Sequence, residues 1–251
     1  MIVLITGATA GFGEAMARRF VKEGHQVIAT GRRQDRLNQL HSDLGDQLYP
    51  LLFDVSDQYA TERALSSLPH HFSCIDVLIN NAGLAIGTEP FADCSIADWK
   101  VMIETNITGL LYCTHIVLQG MLERSCGHII NIGSVAGEWP YRGGNVYGAS
   151  KAFVHQLSNN LRIDLLGTPI RVTNIEPGFS GGTEFSLVRF RGDEKAVKAL
   201  YDHTQPLSAE DITEAVYWVS TLPKHVNINM LQMMPICQAY AGLTVNQSIK
   251  K

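Results

Sequence analysis

The chain has 251 residues, 45% of them hydrophobic and 18% charged, enough for one sizeable globular core. A formal net charge of -4 leaves no basic excess to neutralise phosphates, so nucleic acid is not expected as a partner. No continuous apolar run reaches the ~20 residues of a membrane span, and no membrane association is expected.

The N-terminus, Met1-Ile-Val-Leu-Ile-Thr-Gly7, lacks a basic leader and reads as a strand, Ile2–Ile5. A glycine loop and a helix over Glu14–Lys22 follow, and Gly24 stops that helix. A strand at Val27–Thr30 leads to a helix at Arg36–Leu44 that ends at Gly45. Strands are expected at Leu48–Phe53 and Val77–Asn80. Ser95-Ile-Ala-Asp98 has capping-box spacing and opens an apolar helical stretch reaching over Trp99–Glu123. A strand at His128–Ile132, a helix at Val154–Leu165 and a strand at Ile170–Ile175 come next. Ser208-Ala-Glu-Asp211 marks a further helix start before a last strand, Leu231–Met234.

Most of these strand runs are continuously apolar, the pattern of strands covered on both faces. Their alternation with helices implies right-handed crossovers and a parallel sheet. The fold class expected is α/β, a doubly wound parallel sheet of about seven strands. With no repeats, low-complexity tract or linker, residues 1–251 read as a single domain. From about 178 to 206 the chain is rich in Gly, charge and aromatics and interrupts the step from strand to helix. An excursion of that length after a strand's carboxyl end is expected to serve the ligand.

Thr6-Gly7-Ala-Thr9-Ala10-Gly11-Phe12-Gly13 lies between the first strand and a helix. Glycines there let the backbone approach a diphosphate, and the helix N-terminus offers free N–H groups. The second strand ends in Gly31-Arg32-Arg33, where an NAD site usually has an acidic residue for the ribose hydroxyls. Two guanidiniums suit a 2′-phosphate, so NADP is expected over NAD. Asp54, ending the third strand, is placed to meet the adenine amino group.

These motifs, with Asp54-Val55, Asn80-Asn81-Ala82-Gly83, Asn106, Gly133-Ser134, Tyr147-Gly-Ala-Ser-Lys151 and Pro177-Gly178, closely resemble the short-chain dehydrogenase/reductase family over nearly the whole chain. Trp139-Pro-Tyr141, Gly181-Gly-Thr-Glu-Phe185 and Val188-Arg-Phe190 resemble, within it, the branch of NADP-dependent 3-hydroxy acid (L-allo-threonine/serine) dehydrogenases, some of which reduce malonic semialdehyde. Phe12 departs from the smaller aliphatic residue the family most often has. The resemblance implies a Rossmann-type fold, a cytoplasmic enzyme and a homotetramer. It implies that Asn106 interrupts or bends its helix and holds a water on a proton path from Lys151, and that Lys151 bonds the nicotinamide ribose. Asn81, Ala82 and Gly83 would lie against the adenosine ribose, while Asn80 either joins them or ties adjacent strands. Pro177 and Gly178 would flank the nicotinamide, with Thr183 on the carboxamide or diphosphate.

Tyr147 and Lys151, four apart at a helix start, share a face. A phenol with a pKa near 10 needs about 4 kcal/mol of stabilisation to be a phenolate at pH 7. A neighbouring ammonium and an oxidised nicotinamide have the right sign. Tyr147 is therefore expected as the acid/base and Ser134 as the hydrogen-bond partner of the substrate oxygen. The carboxylate of a 3-hydroxy acid needs a cation, for which Arg142, Arg189 and Arg191 are candidates and Arg189 is preferred. Tyr141, Phe185 and Phe190 are candidates for an apolar lid. Uncharged carbonyls remain the alternative substrate class, and an NADP-binding sensor the alternative to an enzyme. Nine histidines form no His–His pair with helical ligand spacing and no Cys/His cluster, and no metal is expected. Five scattered cysteines without a C-x-x-C pair read as reduced thiols.

Overall fold

The protein, a computed structural model, is described over residues 1–240. In chain order its main elements are β1 (Ile2–Ile5), α1 (Gly11–Lys22), β2 (Gln26–Gly31), α2 (Gln34–Leu44), β3 (Leu48–Leu52), α3 (Gln58–Ser66), β4 (Val77–Asn80), α4 (Ile96–Ile103), α5 (Gly109–Glu123), β5 (Gly127–Ile132), α6 (Asn145–Asp164), β6 (Ile170–Pro177), α7 (Phe185–Arg189), α8 (Glu194–Tyr201), α9 (Ala209–Thr221) and β7 (Met230–Met233). The strands form one sheet in the order β3-β2-β1-β4-β5-β6-β7, parallel throughout. The order reverses direction between β1 and β4, and a crevice opens there at the carboxyl edge.

Continuous apolar strands are explained by two cores. On one face Val3, Ile5 and Val27 pack under Met16 and Phe20 of α1, Leu37 of α2 and Val216 of α9. On the other, Leu4, Ile28 and Leu78 pack under Leu65 of α3 and Cys113, Val117 and Met121 of α5. Each large side chain so buried contributes about 1.5–3 kcal/mol of transfer free energy.

A buried polar ladder runs through the second face. Asn80 donates from Nδ2 to Thr114 Oγ1 at 2.8 Å and to Asn131 Oδ1 at 2.9 Å, and Asn131 donates to Ser158 Oγ at 2.9 Å. It couples β4 and β5 to α5 and α6, so Asn80 is a tie between strands rather than a wall of the crevice.

Gly24 and Gly45 stop α1 and α2 in left-handed conformations, with φ of 82° and 70°. Ser208 and Asp211 form the expected capping box. Ser95 does not: its side chain caps nothing, and the Asp98 carboxylate, the other half of the box, bonds Arg191 at 2.6 Å instead. α4 and α5, joined by the turn Glu104–Thr108, run over Ile96–Glu123, 28 residues that by length and composition alone are long and apolar enough to cross a membrane. Here one side packs on the sheet through Cys113, Val117 and Met121.

The excursion at 178–206 folds into α7 and α8. Its neck is closed where Gly181 N donates to Leu207 O at 2.9 Å and Leu207 N to Phe179 O at 3.0 Å.

Candidate active site

The site begins where β1 ends. Ala10 is the N-cap of α1 and has no side-chain acceptor to offer its first turn. The N–H groups of that turn therefore remain available to an anion. Asn81 locks the loop from behind, donating from Nδ2 to Thr6 O at 2.9 Å and Gly7 O at 3.1 Å. A Cβ on Gly13 would collide with the Gly7 carbonyl oxygen, so this glycine is needed for helix-to-loop packing. Gly13 lies behind the lining of the crevice and presents only its backbone to the loop.

Behind β2, Arg32 and Arg33 differ in what holds them. Arg32 gives one bond, to Asp54 Oδ2 at 3.2 Å, and its side chain is 63% exposed, leaving most of its donors open. Arg33 is largely committed: to Thr9 Oγ1 at 3.1 Å, to Thr9 O at 3.2 Å and to Glu184 Oε2 at 2.8 Å. Glu184 belongs to the excursion, so this ion pair joins the two walls of the crevice. Burial alone would raise the Asp54 pKa. The Ser56 N–H and O–H and the Arg32 guanidinium outweigh it and hold the carboxyl below its ordinary range.

At the other end, Ser134 follows β5, and its Oγ accepts from Ala136 N at 3.1 Å. The turn it caps, Val135–Gly137, lies against α6. A Cβ on Gly137 would stand 2.7 Å from the Lys151 carbonyl carbon, so glycine lets the turn and helix touch. That contact places Ser134 beside the first turns of α6, which carry Tyr147 and Lys151. Both are buried.

The electrostatics differ from the sequence expectation. Lys151 Nζ donates to Ile132 O at 2.7 Å, not to the phenol, and lies 6.0 Å from the Tyr147 ring centroid. Burial lowers its pKa from 10.5 to about 8. Burial also raises the Tyr147 pKa to about 12, against the opposing pull of the Ser134 hydroxyl and the Arg189 guanidinium. Burial thus favours the protonated phenol at neutral pH, where Lys151 is still mostly an ammonium.

Asn106 sits in a π-turn, Glu104–Thr108, between α4 and α5, so it does interrupt its helix. The turn aims its side chain at the segment after β4. Leu84 N donates to Oδ1 at 2.9 Å, and Nδ2 donates to Leu84 O at 2.8 Å and Ser150 Oγ at 3.0 Å. Asn106 is buried behind the crevice and does not line it.

All the other expected site residues line one cavity of about 880 Å³. Val55, Ala82 and Gly83 form its floor, and Pro177 and Gly178 the edge of β6. Thr183 lies over the glycine loop, where a Cβ on Gly11 would meet it at 3.2 Å. Phe12 packs against the first core. Phe185 covers Tyr147, with ring centroids 5.6 Å apart, and Tyr141 and Phe190 share the wall. Among the three arginine candidates, Arg191 is bound to Asp98 and faces Glu89, away from the cavity. Arg142 is exposed. Arg189 is half-buried on the cavity wall, and its Nε is buried without an acceptor. Sequence reasoning missed the C-terminal contribution. Gln238 accepts from Phe179 N at 2.6 Å, and Tyr240 packs on Trp139 with centroids 4.5 Å apart. No local pattern signals either contact.

The family model of the short chain dehydrogenase matches residues 1–190. An NADP-dependent 3-hydroxy acid dehydrogenase of Escherichia coli (strain K12) is 61% identical over 247 residues, 98% of this chain and 100% of the relative. A serine 3-dehydrogenase of Agrobacterium fabrum is 51% identical over 243 residues, 97% of each chain. Among solved structures, the closed form of a serine dehydrogenase complexed with NADP+ superposes with a TM-score of 0.98 at 61% identity, covering 99% of this chain and 100% of that one.

Burial of Lys151 has a signature in stability. Its folded pKa of about 8 lies below the ordinary 10.5. Between those values the unfolded chain binds more protons than the native one, so this group makes stability rise with pH. Below about 8 the ammonium is charged in both states and its desolvation cost, on the order of 3 kcal/mol, is fully present. Lys151→Met is expected to be more stable than the parent near neutrality, with the advantage shrinking as pH climbs toward the unfolded value. Urea unfolding of both proteins across that window measures it, and a pH-independent difference contradicts it.

Proposed function

The chain belongs to the short-chain dehydrogenase family, and on that premise we propose that it interconverts 3-hydroxy acids and 3-oxo acids with NADP(H), Tyr147 carrying the proton. Substrates of the L-allo-threonine, serine and 3-hydroxypropanoate/malonic semialdehyde type fit this reading. One observation carries it. A single cavity has an uncapped helix N-terminus and open arginine donors at one end, and at the other Ser134, Tyr147 and an Arg189 that no carboxylate pairs with among the described residues.

The residues present fit NADP. The first-turn amides of α1, at Gly11, Phe12 and Gly13, with Gly7, Thr9 and Ala10 of the loop, would hold the diphosphate. Arg32 would take the 2′-phosphate through its open donors, with Arg33 beside it. Asp54 and Val55 would meet the adenine, Asn81, Ala82 and Gly83 the adenosine ribose, and Lys151 and Tyr147 the nicotinamide ribose. Pro177, Gly178 and Thr183 would border the nicotinamide. The chemistry NADP(H) supplies is hydride transfer to or from the substrate carbon.

In reduction, Tyr147 gives its proton to the substrate oxygen, which Ser134 holds by a hydrogen bond. A phenol at about 12 is loaded with that proton at neutral pH. The phenolate left behind is reprotonated through Lys151. Gly83 keeps the next step open, because a Cβ there would touch both Asn106 Oδ1 at 3.3 Å and Lys151 Nζ at 3.4 Å. A water in that gap would continue the path outward. Arg189 would pair with the substrate carboxylate, since a half-buried guanidinium without a carboxylate partner gains most from one. Tyr141, Phe185 and Phe190, with the excursion at 178–206, would exclude water over the reacting carbon. Residues 1–251 act in this reading as one catalytic domain.

We also propose a homotetramer. Leu111 and Leu122 of α5 and Phe153 and Ile163 of α6 expose apolar side chains on the helix faces turned from the sheet, and Trp218 and Met230 do so beside β7. Light scattering showing a monomer would count against it. The five free cysteines suit a reducing, cytoplasmic setting.

An absorbance screen with L-serine, L-allo-threonine, 3-hydroxypropanoate and malonic semialdehyde, set against neutral alcohols, tests the function. Turnover is expected for the acids, with NADP far above NAD. Arg32→Asp should narrow that preference by roughly tenfold to a hundredfold, the loss of one charge-assisted bond. Equal use of both cofactors by the parent defeats the arginine assignment, and a preference for neutral alcohols defeats the substrate class.

A further inference from the structure

Arg189 stands in a position that carboxylate binding alone does not explain. Its Cζ lies 5.8 Å from the Tyr147 ring centroid and 5.2 Å from that of Tyr141. Its Nε is buried without an acceptor, and its Nη2 has one long bond, to Gly143 O at 3.3 Å. No carboxylate pairs with it among the described residues, whereas Arg32, Arg33 and Arg191 all have one. Its charge therefore falls on the two phenols.

The charged and titratable groups around Tyr147 come from three places. Lys151 is on its own helix, Tyr141 and Arg142 are on the preceding loop, and Arg189 is on α7. Lys151 donates Nζ to Ile132 O and is a cation only below about pH 8, so its help fades as pH rises. Arg142 is exposed to solvent, which screens it. Ionised Tyr141 would oppose a second negative charge. Arg189 brings a delocalised guanidinium, the cation of the set that faces the ring without a carboxylate beside it among the described residues.

We propose that Arg189 is a positioning residue for proton transfer, its guanidinium stabilising the negative charge that develops on Tyr147 when that phenol gives up its proton. This rests on Tyr147 being the proton carrier, but not on the substrate being an acid. It adds a cation on α7 to the one that sequence spacing assigned to Lys151. Because α7 belongs to the excursion, the cation reaches the phenol only when that segment lies over the site. A substrate carboxylate would draw on the same guanidinium, so an acid substrate would leave the phenol a weaker acid than a neutral alcohol does.

The experiment is the pH profile of kcat for alcohol oxidation at saturating substrate, with whichever alcohol the screen finds fastest. Parent, Arg189→Met and Arg189→Lys are compared, with thermal melts to establish folding. At an effective dielectric of about 20, charges this far apart shift a titration by up to about two units, and partial exposure reduces that to about one. Arg189→Met is expected to move the alkaline rise upward by about one unit, and Arg189→Lys, which keeps the charge, to stay near the parent. Superimposable profiles for the parent and a folded Arg189→Met overturn the proposal. So does an equal shift in Arg189→Lys, which would assign the effect to packing. KM for acid substrates reads the carboxylate role separately: a shifted profile with unchanged KM removes that role and leaves this one standing.

Discussion

Burial of a phenol and an amine on one helical turn is the constraint around which the rest of the site is arranged. A low-dielectric setting favours the uncharged form of both groups: Tyr147 is driven up to about 12 and Lys151 down to about 8. Two groups that sequence spacing presents as a phenol acidified by a neighbouring ammonium are each pushed toward neutrality. The neighbours must therefore supply what burial removes. Ser134 and Arg189 oppose the rise on the phenol, and the Ile132 carbonyl receives the amine. A protonated phenol is the form that reduction consumes, so the protein's own electrostatics favour the donor state.

Holding that pair in place is the work of the sheet. The ladder from Asn80 through Asn131 to Ser158 fixes α6 against β4 and β5, and the Asn106 π-turn ties α5 to Ser150 on the same helix. Breaking one member would strand buried polar partners at about 1–3 kcal/mol each. These bonds act well away from the reacting atoms, yet they set where Tyr147 stands relative to the crevice between β1 and β4. Across that crevice, Glu184 on Arg33 and Asp98 on Arg191 anchor the excursion at both ends of α7. The helix carrying Arg189 is thereby held over the phenol.

Much of this was legible in the sequence, for reasons that are local. Apolar runs such as Val77–Asn80 declare a strand covered on both faces, and Gly7, Gly11 and Gly13 declare a close approach of backbone to ligand. Ser208 and Asp211 cap as their spacing says, because nothing nearby competes for Asp211. The Ser95 box lacks its reciprocal half because Arg191, 93 residues from Asp98, takes the carboxylate. The partners of Arg33 and the C-terminal Gln238 and Tyr240 were hidden for the same reason: their contacts join segments far apart in the chain. The sense of the Tyr147 shift was hidden for another. Spacing says that two side chains share a face, but not how much water the fold removes from them.

Tyr147→Phe tests the central claim most directly, because it removes one oxygen and its proton while keeping the ring against Phe185. The measurement is NADPH-linked reduction of the preferred carbonyl substrate, with NADPH affinity read in parallel by fluorescence titration. A proton-donating phenol predicts a fall in kcat of about a hundredfold to ten-thousandfold, with NADPH affinity weakened by no more than about tenfold, the loss of one hydrogen bond to the ribose. Turnover by the phenylalanine variant at the parent's rate would show that the proton comes from elsewhere and that the buried pair is only structural.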